Sequence, residues 1–144
     1  MDEVISYDTY AMAQTLKDRY KGHKIIIYPD ASGQNRKTSA SETDAQILRG
    51  AGHLVFVNHS NPSIKDRVNC VNNLFDKRRL LVNVSKCPNL TKALEQQAWD
   101  NKTQLPEKSD AHPANDDYND ALGYLVAYKY PIAARDYQIK VVGI

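Results

Sequence analysis

Asp30 follows directly on the apolar run Lys24-Ile25-Ile26-Ile27-Tyr28, with only Pro29 between. A carboxylate at a strand's carboxyl end lies where open α/β sheets collect functional groups. Pro29-Asp30 with Gly33 three residues on is also ordinary turn chemistry, and taken alone Asp30 reads first as a turn former. A second acidic set, Asp116, Asp117 and Asp120, falls in the segment Asn115–Asp120. The helix dipole favours acids at a helix start, which accounts for Asp116 and Asp117 better than for Asp120 in the second turn. Asp116 and Asp120 are four residues apart, so their carboxylates project from one helix face. Together with Asp30 they would form an oxygen-rich site suited to a hard divalent cation, Mg²⁺ or Mn²⁺. Two such ions, clamping the attacking and leaving oxygens, would cleave a phosphodiester.

The residues after Asp30 support the same chemistry. Gln34, Asn35, Arg36, Lys37, Thr38 and Ser39 form a run of hydrogen-bond donors beside the candidate site. A phosphate backbone is the partner that would use them, which makes Asn35, Arg36 and Lys37 candidate DNA-binding residues. Other chemistries lack their motifs. His23, His53, His59 and His112 show no HExxH or HxH spacing, and neither GxxxxGK[ST] nor GxSxG occurs. Cys70 and Cys87 stand without a CxxC or Cys/His partner pattern and read as buried thiols in a reducing cytosol.

These residues need elements to position them. Val4–Ser6 reads as a short opening strand. Asp8 or Thr9 can cap a helix bearing Met12, Ala13, Leu16 and Tyr20 at helical spacing, ended by Gly22. Lys24–Tyr28 reads as a strand buried on both faces of a parallel sheet. Ser41 with Asp44 resembles a capping box, Gly50 and Gly52 end that helix, and His53–Val57 is a second buried strand. Asn61-Pro62 reads as N-cap and first helical position, with Ile64, Val68, Val71 and Phe75 on one face. Arg79–Val84 predicts a third strand, and Pro88-Asn89 opens a helix with Leu90, Ala93, Leu94 and Ala98. Residues 100–114 read as an irregular loop. Asn115 can cap a last helix with a stripe of Ala121, Leu122, Leu125 and Val126, and Gln138–Val142 is a final extended segment. The alternation is that of an α/β domain with a mainly parallel sheet flanked by helices.

Composition sets outer limits. The 144 residues suit one domain, and 42% hydrophobic with 25% charged residues is ordinary for a globular chain. Nineteen basic and seventeen acidic residues leave a net charge of +2, which does not argue against DNA because a nuclease's acids cancel its cations in the sum. No apolar run approaches the roughly 20 residues that span a bilayer, and the acidic start MDEVISYDTY does not resemble a signal peptide.

Three segments carry a family resemblance: YPDASGQNRKTSASETD at 28–44, NPSIKDRVNCVN at 61–72 and NDDYNDALGYLVAYKYP at 115–131. Together, and in this order, they resemble the C-terminal nuclease domain of tailed-bacteriophage terminase large subunits. The resemblance implies an RNase H-like fold over residues 1–144 and a two-metal endonuclease, using Mg²⁺ or Mn²⁺, that cuts concatemeric double-stranded DNA during packaging. It implies the portal and the small terminase subunit as partners, and the bacterial cytoplasm as the compartment. Asp30 matches the family's second active-site acid, and the third falls within Asp116, Asp117 and Asp120. Asp117 stands where the family often has a His, so Asp116 and Asp120 are the preferred pair. The family's first acid lies on a strand upstream of anything in this sequence. The expectation is therefore a domain incomplete at its N-terminus, lacking its first strands, with weak or no nuclease activity alone. An open sheet edge would then be available for pairing with a second copy. The alternative expectation is a non-catalytic DNA- or packaging-protein-binding module from a prophage remnant.

Overall fold

A computed structural model describes residues 3–34, 42–103, 105–106 and 115–132. Helix α1 (Thr9–Arg19) begins where Asp8 accepts a hydrogen bond from the Ala11 N–H, as its cap position predicts. Gly22, at φ +81°, turns the chain toward β1 (Ile26–Ile27). A 3₁₀ turn over Ala31–Gln34 follows, then α2 (Asp44–Gly50). Its cap is Thr43 rather than Ser41, which lies outside the described residues. The Thr43 hydroxyl accepts from the Gln46 N–H and the Gln46 side chain accepts from the Thr43 N–H, a complete capping box. Gly52, at φ +92°, closes the helix so that the chain enters β2 (Leu54–Val55).

Strands β1 and β2 run parallel, with Ile26 opposite Leu54 and Ile27 opposite Val55. Flanking bonds from the Leu54 N–H to Ile25 O and from the Phe56 N–H to Ile27 O lengthen the pairing. Helices α1 and α2 pack together beside it around Ala13, Ala45 and Leu48, and buried His53 donates through Nε2 to Ala13 O. The side chains of this core are mostly small.

The main core is helical. Helix α3 (Ile64–Asp76), α4 (Pro88–Gln96) and α5 (Asn115–Lys129) pack with α5 against both others. Cys70, Val71, Leu74, Cys87, Leu90, Leu122 and Val126 fill their centre. Both cysteines are free and buried, as their isolated positions suggest. Between α4 and α5 lies a short antiparallel pair, β3 (Trp99–Asp100) with β4 (Leu105–Pro106), inside a region read as loop. Asn119 on α5 donates to Ala93 O and to the Gln97 side chain, tying α5 to the end of α4.

Several expectations are corrected. Val4–Ser6 is not a strand; the preceding Glu3 carboxylate accepts from the Asn89 N–H and side chain and the Leu90 N–H, docking the segment on the start of α4. Arg79–Val84 alternates as a strand would, with Leu80 and Val82 against the helical core and Leu81 84% exposed, but it joins no sheet among the described residues. The parallel pair is not buried on both faces, since Ile26, Leu54 and Phe56 are exposed. The central sheet among the described residues is thus this one small parallel pair. Asn61 does not cap α3; Ser63 does, accepting from the Asp66 N–H at 3.1 Å. The buried face of α3 is Arg67, Cys70, Val71 and Leu74, about one position round from the predicted stripe. Gln138–Val142 lies outside the described residues.

Candidate metal-dependent nuclease site

Asp30 leaves the carboxyl end of β1 in the position its sequence context predicts. Two donors converge on its Oδ1: the Ser32 N–H at 2.7 Å and Asn61 Nδ2 at 2.6 Å. The Asn61 Oδ1 in turn accepts from the Ala31 N–H at 2.8 Å, so one side-chain amide grips the turn at two points. Gln34 donates to Asn58 O, joining the loop after β1 to the loop after β2. Partial burial pushes the Asp30 carboxyl up. Hydrogen bonds from Asn61, from the Ser32 N–H and hydroxyl and from Tyr124 outweigh it and hold the group below the usual carboxylate range.

Asp120 sits one turn before Tyr124 on α5, in a different environment. Arg67 Nη2 donates to Asp120 Oδ1 at 2.7 Å, with the arginine side chain 6% and the aspartate 41% exposed. Arg67 Nη1 donates to Pro62 O at 3.3 Å, and its guanidinium lies 4.4 Å from the Tyr124 ring centroid, a cation–π contact. Gly123 makes this approach possible: a Cβ there would stand 3.2 Å from Arg67 Cβ. Desolvation nevertheless raises the Asp120 carboxyl; Arg67 opposes the rise, and the charges of Asp116 and Asp117 add to it. Tyr124 joins the two acids. Burial lifts its phenol, Arg67 lowers it, and the charges of both Asp30 and Asp120 push it up again, as does its hydrogen bond to Asp30.

A cavity of about 340 Å³ opens beside Asp120, between α3, α4, α5 and the β3–β4 pair. Its polar lining includes Arg67, Asp116, Asn119 and Asp120, and its apolar lining includes Val68, Leu94 and Trp99. Asp116 and Asp120 share this face, as their spacing predicts, whereas Asp117 is exposed and outside the lining. The Asp116 Oδ1 is buried with no hydrogen-bond partner among the described residues, and so is Arg67 Nε. Asn35, Arg36 and Lys37 lie outside the described residues.

A divalent cation fits this donor set in kind. The oxygens are hard, the Asp116 oxygen is unsatisfied, and Mg²⁺ is commonly held by one or two carboxylates with water and phosphate completing its shell. No group of three or more His, Cys, Asp or Glu side chains among the described residues is gathered closely enough to hold a metal alone. The described acids therefore do not form one compact triad: Asp30 is held in the turn after β1 by Ser32 and Asn61, and Asp116 and Asp120 line the cavity without it.

Sequence reasoning missed Asn61, Arg67 and Tyr124. Asn61 was masked by the cap role that Asn-Pro suggests. Arg67 had a signal, a cation three residues after Ile64 and four before Val71, inside an apolar stripe. Gly123, in the middle of a helix, was the sign of a close approach.

No curated protein and no solved structure matches the chain. Residues 7–129 match the family described as terminase RNaseH-like domain. That span includes Asp30, Asn61, Arg67, Asp116, Asp120 and Tyr124, and over it the chain belongs to the terminase RNaseH-like domain family.

Proposed function

We propose that the chain, acting as a single RNase H-like unit, is a metal-dependent endonuclease module that cuts concatemeric double-stranded DNA during phage genome packaging. The observation that carries this reading is that one short segment engages a strand-end acid and a helix acid, Asn61 bonding Asp30 and Arg67 bonding Asp120. Asp30, Asp116 and Asp120 would hold Mg²⁺ or Mn²⁺, with Asp117 the outer member of the acidic set. The ions would supply positive charge at the scissile phosphate. Hydrogen bonds from Asn61 and Ser32 favour the ionised Asp30, with Tyr124 adding to them, and Arg67 limits the cost of a half-buried Asp120 charge. Asn35, Arg36 and Lys37 would grip the DNA backbone. The substrate sets the compartment as the bacterial host cytoplasm, with the portal and the small terminase subunit as partners. Among the described residues no helix is long and apolar enough to cross a membrane.

Activity of this chain alone is expected to be weak, because two carboxylates on α5 and one across Tyr124 make a loose site. The test is nicking of supercoiled plasmid with Mn²⁺. Slow cleavage, lost with EDTA and in Asp30→Asn and Asp120→Asn, supports the reading; cleavage indifferent to both substitutions sinks it.

The ion pair favours a second reading. Arg67 already neutralises Asp120, as suits a non-catalytic module that binds DNA or a packaging protein. DNA retention that falls steeply with salt and ignores metal would select it.

A further inference from the structure

We infer that the segment Asn61–Arg67 is the positioning bracket of the site, with Asn61 aiming the Asp30 carboxylate and Arg67 the Asp120 carboxylate. The inference rests on the nuclease reading and adds to it two residues that would touch neither metal nor substrate. Asp30 and Asp120 belong to elements far apart in the chain, and one short segment reaches both. Asn61 spans 31 residues to Asp30, and Arg67 spans 53 to Asp120.

Asn61 has no other duty at the helix start, because Ser63 caps α3. Its amide is fixed at both ends, donating to Asp30 Oδ1 and accepting from the Ala31 N–H, so it sets the rotation of the carboxylate relative to its own turn. Arg67 is equally committed. One arm of its fork holds Pro62 O, the residue after Asn61, and the other holds Asp120 Oδ1. A planar fork makes two such bonds in fixed geometry where an ammonium would not. The Tyr124 ring lies under the guanidinium, its centroid 4.4 Å away, and holds the Arg67 fork from a third side. The separation of the acids is therefore set from the start of α3. Groups that orient metal ligands in this way typically change affinity by about 10- to 100-fold when removed.

The experiment is Mn²⁺ titration calorimetry on the full chain, paired with thermal unfolding in EDTA. Five proteins are compared: wild type, Asp30→Asn, Asn61→Ala, Arg67→Lys and the α1 cap variant Asp8→Ala. Asn61→Ala and Arg67→Lys are each expected to weaken Mn²⁺ binding about 10-fold. Asn61→Ala should do so with a melting temperature in EDTA no lower than that of Asp8→Ala, which should keep wild-type affinity. Wild-type affinity in Asn61→Ala, with binding still lost in Asp30→Asn, overturns the bracket and leaves the nuclease reading standing. Equal Mn²⁺ binding by wild type and Asp30→Asn, or none by wild type at millimolar metal, overturns both.

Discussion

Asp30 and Asp120 are the same side chain in two regions built on different principles. Around Asp30 the chain is a strand end and a tight turn, and neutral donors converge on a shallow carboxylate. Around Asp120 three helices pack, and the carboxylate is half-buried against a buried guanidinium. Hydrogen bonding wins in the first region and lowers the carboxyl; desolvation wins in the second and raises it despite the ion pair. A salt bridge is thus no guarantee of an easily ionised acid, and a few well-aimed amides do more.

The contrast can be broken most sharply at Arg67. Arg67→Met should cost about 2 kcal/mol in urea unfolding, because it strips the cation from an acid that solvent screens only in part. Adding Asp120→Asn should recover part of that loss, and a double variant no better than the single one would show that Arg67 acts by packing alone. Gly123→Val should cost about 2 kcal/mol by forcing α5 away from Arg67. A neutral result would mean that the helices can part without loss. In the other region Thr43→Ala should cost about 1 kcal/mol through loss of the capping box. Combined with Arg67→Met its effect should add to within roughly 0.5 kcal/mol, and strong coupling would show that the two regions are one unit.

The smallest effects are in pH. Asp30, lowered in the fold, favours folding above its unfolded value of about 3.9, and this contribution is lost as pH falls through its lower folded value. Asp120, raised in the fold, favours folding below about 3.9, and that contribution is lost as pH rises through its higher folded value. Relative to Asp30→Asn the wild type should therefore lose stability on acidification, and relative to Asp120→Asn it should gain. Urea midpoints between pH 3 and 7 measure both slopes, and equal signs would erase the distinction.

What could be read in advance followed the range of the forces. Asp8 capping α1, Pro88 opening α4 and the shared face of Asp116 and Asp120 are local, and they stand as the spacing implies. The PDASG turn set Asp30 at a strand end for the same reason. Asn61 and Ser63 are both good caps, and only the distant Asp30 decides between them by engaging Asn61. Arg79–Val84 has a strand's alternation, but alternation reports which side chains face a core and not whether a ladder forms. The pairing of Arg67 with Asp120 spans two helices and needs Gly123 opposite it, a coincidence that no local window contains.

Helix α4 has no side-chain cap of its own at Cys87, and its first amides are met by Glu3, 86 and 87 residues away. Helix α2 closes its box within four residues. In terms of folding order, α2 can begin from its own sequence, whereas the start of α4 must wait for a loop of most of the chain to close. That places a wall of the cavity among the last parts to settle. Amide exchange at Asn89 and Leu90 should accordingly report on the closure between Glu3 and α4 rather than on the helix that contains them.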